Sequence, residues 1–252
     1  MYIYFKKNML PIGDDNSDRK TFPVVNIILI AINIIVFVVY QKWGTDLNFT
    51  FSHATVPGEI MSGKDIITSP ITVNDPISGR DVTVPGLGPT PVSVYLTLLT
   101  SMFMHGGIGH IAGNMLYLLI FGDNLEDRMG HIRYLFFYLL CGILASLAHV
   151  GTDYLFGENH LVPSLGASGA ISGVMGGYLL LFPGKKVRVL IFILPVRLPA
   201  FIVLGFWIAL QIANGTGYLG GSEASGIAYA AHIGGFAAGL LLVKAFVKKN
   251  NR

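Results

Sequence analysis

Residues 23–40 read PVVNIILIAINIIVFVVY and hold no Asp, Glu, Lys, Arg or His. A transmembrane helix needs ~20 predominantly apolar residues, and a signal-peptide core is shorter. No small-residue cleavage site follows, only QKWGTD, so the run reads as a retained membrane anchor. Five more apolar segments follow, at about 108–121, 134–150, 168–182, 199–213 and 227–247. Only 12% of the residues are charged and the mean hydropathy is +0.61, whereas soluble domains carry ~25% charged residues. The expected fold class is an all-α polytopic membrane protein, a six-helix bundle with a long outer loop after the first span.

Six spans put both termini on one side, and basic residues choose the side. With cytoplasmic termini, 14 of the 17 Lys and Arg fall in cytoplasmic segments. Only Lys42, Lys64 and Arg80 lie outside. The expected layout is a cytoplasmic segment 1–22, a membrane domain 23–247 with an outer loop at about 44–104, and a cytoplasmic tail 248–252. In that loop ITVNDPISGRDVTV alternates β-formers around a turn cluster and predicts a hairpin. VSVYLTLLTSMFMHG predicts a helix lying along the interface. Cys141 is the single cysteine, so there is no disulfide framework. GGIGH is not followed by a Walker lysine, and neither a nucleotide-binding signature nor a nucleic-acid partner is expected. Nothing sets the oligomeric state.

Polar side chains inside spans are functional candidates by default. His110 and Asn114 are four residues apart on one face of the second span, with His105 about a turn outside. As a pair they serve equally well as interhelical hydrogen-bonding groups. The fourth span is short, so Ser168 should start it below the outer surface, where irregular backbone needs a protein or water-filled surrounding. The free N–H groups of that helix start favour a developing anion. His232 is the lone ionisable group in its apolar stretch, at a depth similar to Ser168. Gly169, Gly173 and Gly177 on one helix, and Gly235 and Gly239 on the other, should let the two approach closely. A lone histidine in a span is more often structural, but one level with a serine at a helix start is a candidate nucleophile–base pair. All 14 Asp and Glu fall outside the spans, which leaves a dyad rather than a triad.

These residues resemble the rhomboid family. The resemblance is carried by His105, His110 and Asn114 as H-x4-H-x3-N, Gly166 to Gly169 as G-x-S-G, and Ala231 to Gly235 as A-H-x-G-G. NLEDRMG, with Glu126, Arg128 and Gly130, resembles the family's loop after the second span. The resemblance implies an intramembrane serine endopeptidase that cleaves in or beside transmembrane segments of membrane proteins within the lipid bilayer. It implies Ser168 as nucleophile and His232 as base. The oxyanion hole would be His110, Asn114 and the Ser168 N–H. His105, Gly166, Gly169 and Gly235 would be structural residues near the site, with no metal and no cofactor. In some members a tyrosine four residues after the serine stacks on the histidine; here that position is Ser172. For a chain with short tails and a six-span plan, the resemblance implies a bacterial inner membrane. Residues 214–226 are expected to form a mobile lid, and Phe201 and Trp207 to face lipid or a lateral gate.

Overall fold

The computed structural model describes residues 9–74, 79–157, 160–216 and 229–248. A strand β1 (Leu10–Asp14) precedes helix α1 (Val24–Ile35), which ends in a π-helical turn over Val36–Tyr40. Two short helices follow, α2 (Leu47–Ser52) and α3 (Pro57–Ser62), then the strands β2 (Ile71–Asn74) and β3 (Asp81–Val84). Three 3-10 residues (Val94–Leu96), the single turn α4 (Thr97–Thr100) and three more 3-10 residues (Ser101–Phe103) make a broken helix. The remaining elements are α5 (Ile108–Met129), α6 (His131–Phe156), α7 (Ser168–Leu181), β4 (Lys186–Ile191), β5 (Leu194–Pro199), α8 (Ala200–Gly215) and α9 (Tyr229–Phe246). The apolar helices α6 and α9 are long enough to cross a membrane. The apolar helices over 24–40, 168–181 and 200–215 are shorter.

The expectation of an all-α chain is corrected to a mostly helical one. β2 and β3 form the expected antiparallel hairpin. A second sheet, ordered β1–β4–β5, was not expected. Its register pairs Leu10 with Leu190 and Arg188 with Arg197. Val187 and Val189 are fully buried while Lys186 and Arg188 are exposed, the period-2 signature of a half-buried strand. The loop expected at NLEDRMG is also corrected, since α5 stays helical to Met129. Gly130, with φ +82°, then breaks the chain into α6.

The acidic end of α5 is helical because the N-terminal segment satisfies it. Glu126 is fully buried and accepts from the backbone N–H groups of Val25 (2.9 Å) and Asn26 (2.7 Å). It thereby caps α1, whose own N-cap, Pro23, offers no side chain for this. Arg19 pairs with Asp123 at 2.6 Å, and Thr21 N–H donates to Asp127 at 2.7 Å. At this same end Arg133 donates to the Val247 carbonyl and Lys248 N–H to that of Arg128. At the opposite end the Gln41 side chain brackets the His105 backbone, and Thr55 and Ser164 exchange backbone hydrogen bonds. Segments placed on one side by charge counting therefore meet one another.

Asp14 ties β1 to the bundle. Its carboxylate accepts from Tyr178 Oη (2.6 Å) and Asn124 Nδ2 (2.7 Å). Burial, the largest influence, pushes its pKa up to about 6 from 3.8. A raised carboxyl pKa gives stability that is full below the unfolded value and lost as pH rises through about 6. The thermal midpoint in micelles should therefore fall between pH 5 and pH 7.5 by more in the parent than in Asp14→Asn. Equal pH slopes in the two proteins would show that Asp14 does not control this docking.

The core centres on α7. Ala167, Ala170, Val174 and Tyr178 are fully buried, enclosed by α5, α6 and α9. The expected glycine faces are redistributed. A β-carbon at Gly235 or Gly239 would overlap the carbonyl oxygen of Gly169 or Gly173, so α9 does approach the α7 backbone directly. On α7 the residue making the reciprocal approach is Gly176, against the Phe236 carbonyl. Gly169 and Gly173 mainly make room for α6, at Ala145 and Cys141. A run of small residues marks close packing without saying which neighbour fills each notch.

Candidate active site

Ser168 is the first residue of α7, and its position is set by the backbone before it. Gly166 has φ +125°, a conformation disfavoured for other residues, and its N–H donates to the Ser101 carbonyl at 2.9 Å. The first α7 bond runs from Ile171 N–H to the Ala167 carbonyl. The N–H groups of Ser168, Gly169 and Ala170 thus have no acceptor within the helix. Ser168 itself is half-buried.

The serine hydroxyl meets α9 directly, with Ser168 Oγ 2.8 Å from His232 Nε2. His232 is 3% exposed. The close approach through Gly235, one turn further along α9, permits this distance. Ser172 donates its hydroxyl to the Ser168 carbonyl at 2.6 Å and so does not take the place of a stacking tyrosine. The ring nearest His232 is instead Trp207 of α8, with centroids 6.0 Å apart and planes tilted by 42°. Trp207 is half-buried and packs on His232 and Phe236. Phe201 is 55% exposed.

His110 and Asn114 line the other side of the serine. His110 Nδ1 accepts from the Gly106 N–H at 3.3 Å, so the neutral ring carries its proton on Nε2. That edge lies against Gly166: a β-carbon there would sit 2.9 Å from His110 Nε2 and 3.6 Å from Ser168 Oγ. Asn114 is 1% exposed, and its Nδ2 has no hydrogen-bond partner among the described residues. A buried amide donor without an acceptor is costly, and here it belongs to the residue expected to donate to an oxyanion. His105 is fully buried, its ring edge-on to His110 at 5.1 Å.

Sequence reasoning missed one contact. His232 Nδ1 lies 2.9 Å from Gln211 Oε1 on α8. Gln211 is one of several amides in the apolar spans, beside Asn33 and Asn114, and lies in the last turns of α8, whereas the partner expected for a base is an acid. The residues expected to form a lid fall mostly in 217–228, outside the described residues. Among the described residues, no group of three or more His, Cys, Asp or Glu could hold a metal ion.

Known proteins resemble this chain over the same region. The family profile for the Rhomboid domain matches residues 93–249. Rhomboid protein 1, mitochondrial, of Saccharomyces cerevisiae is 33% identical over 165 residues, covering 64% of this chain and 46% of that protein. RHOMBOID-like protein 4 of Arabidopsis thaliana is 34% identical over 145 residues, covering 58% and 32%. Rhomboid protease GluP of Bacillus subtilis is 35% identical over 125 residues, covering 49% and 23%. The chain thus spans less than half the length of these relatives. By name and organism they include a mitochondrial protein, a plant protein and a bacterial one, so they do not favour the expected bacterial inner membrane. The profile match extends over more than half of the chain and includes Ser168, His232, His110 and Asn114: the chain belongs to the rhomboid family.

Proposed function

We propose that this chain is a six-span intramembrane serine endopeptidase that cleaves peptide bonds in or next to transmembrane segments of membrane proteins. The observation that carries this reading is the 2.8 Å contact between Ser168 Oγ and His232 Nε2 at the start of α7. In the proposed reaction Ser168 Oγ attacks the scissile carbonyl as its proton passes to His232 Nε2. The tetrahedral oxyanion is met by the Ser168 N–H, Asn114 Nδ2 and His110 Nε2. His232 then returns the proton to the leaving amine, and a water molecule hydrolyses the acyl-enzyme by the same route. The partners are transmembrane substrates and the surrounding lipid. Support for six spans comes from the contacts at the helix ends. The N-terminal segment, the α5–α6 turn, the β4–β5 connection and the end of α9 share one side. The long 41–107 segment meets the α6–α7 connection on the other.

The test is cleavage of a labelled transmembrane substrate by purified protein in lipid vesicles, with and without a chelator. Chelator-insensitive cleavage supports the reading, and absence of cleavage, or loss of it on chelation, defeats it. The oxyanion assignment has its own expected result. Loss of one donor lowers kcat by ~10²–10³, so Asn114→Ala should slow turnover by about that factor with KM nearly unchanged. Thermal stability should change little, because this buried donor has no acceptor among the described residues. Parental kcat in Asn114→Ala would remove this side chain from the oxyanion hole.

A further inference from the structure

The second nitrogen of His232 has a partner outside all of the matching motifs. We propose that Gln211 is a positioning residue whose amide oxygen holds His232 in its Nδ1-protonated form, leaving Nε2 free to accept the Ser168 proton. This rests on the reading of Ser168 and His232 as nucleophile and base.

A neutral imidazole has one N–H donor and one acceptor nitrogen. With no acceptor at Nδ1, the buried ring of His232 would satisfy its N–H by donating from Nε2 to Ser168 Oγ. That tautomer cannot act as a base toward the serine. The Gln211 carbonyl oxygen, 2.9 Å from Nδ1, can only accept. It therefore selects the tautomer in which Nε2 presents its lone pair to Ser168 Oγ at 2.8 Å. An acid at this position would also stabilise the imidazolium that forms during attack. It would, however, place a carboxylate in an apolar layer, where an ionised group is costly. An amide performs the orienting half of that role and carries no charge.

The same helix supplies the second constraint. Trp207 is four residues before Gln211, on the same face of α8, and its ring tilts over His232. Ser172, one turn after the nucleophile on α7, is bonded to the backbone and does not touch the base. The groups that steady His232 therefore come from α8. A purely structural role, tying α8 to α9 through one hydrogen bond, predicts a different response to substitution.

The experiment uses the full chain in lipid vesicles with a labelled transmembrane substrate. Gln211→Leu should lower kcat about 10–100-fold, within the range of general-base contributions, and leave KM within about twofold. Gln211→Glu should recover most of that loss, because a carboxyl group in either protonation state offers an oxygen at the same reach. In ¹⁵N-histidine NMR of the parent, the resonance lost in His232→Ala should show Nδ1 protonated, and Gln211→Leu should move the proton to Nε2. Parental kcat in Gln211→Leu would overturn the inference. So would a Glu variant as slow as the Leu variant. An Nε2-protonated parent, with the amide NH2 turned toward Nδ1, would overturn it as well. The NMR measurement on the parent decides the matter even where Gln211→Leu does not fold. A Ser168→Ala control separates the two levels. Turnover in that control defeats the whole reading of the site. An inactive control beside a fully active Gln211→Leu defeats only the positioning role.

Discussion

Ser168→Ala and His232→Ala should each remove ~10⁴–10⁶ of kcat, and the double variant should be no slower than either single one. The reason is that one hydrogen bond joins the two groups into a single device. A serine hydroxyl without a base is a poor nucleophile, and an imidazole without the serine has no proton to take. Stability should respond differently. One neutral hydrogen bond contributes ~0.5–1.5 kcal/mol, so Ser168→Ala should leave the thermal midpoint near that of the parent. His232→Ala should lower it more, because it empties a buried position against Trp207 and strands the Gln211 carbonyl. Turnover in single and double variants, beside their melting curves, checks both parts. Additive losses would mean that the two residues act separately. Substantial turnover in Ser168→Ala would remove the nucleophile.

Much of this site was legible in the sequence because the bilayer narrows the choices. A polar residue in an apolar run stands out, and helical rise converts its position into depth. Ser168 and His232 were matched in that way, and the 2.8 Å contact joins them. The β2–β3 hairpin was legible because alternation and a turn cluster are local signals. What escaped notice depends on partners distant in sequence. β1 pairs with β4 across more than half of the chain, and the valines of β4 lie among basic residues that marked only a cytoplasmic segment. Glu126 resembled part of a loop motif because its use as a cap for α1 needs residues 25 and 26 in view. Gln211 is less legible because an amide stands out less in a span than a charge, although it can orient a histidine without one.

Gly239→Ala should lower both the thermal midpoint and turnover, although a single methyl group is added. The methyl group would overlap the carbonyl oxygen of Gly173, and backbone cannot swing aside as a flexible side chain can. Helix α7 has little room to give, because Gly173 also lies close against Cys141 of α6. Helix α9 must therefore move outward. Overpacking of this kind costs ~1–3 kcal/mol. His232 lies two turns from Gly239 on the same helix, so it moves with the displaced segment. A shift of ~1 Å in a reacting group can lower the rate about 10²-fold, and Gly239→Leu should be more severe on both counts. Gly205 of α8 is the matched control. Among the described residues, nothing beyond its own stretch of helix lies within 4 Å of a β-carbon placed there, and alanine is favoured over glycine in a helix by ~1 kcal/mol. Gly205→Ala should therefore be as stable as the parent or slightly more so, with turnover unchanged. If Gly239→Ala behaved like Gly205→Ala in melting and cleavage, the approach of α9 to the α7 backbone would not be what holds Ser168 and His232 together.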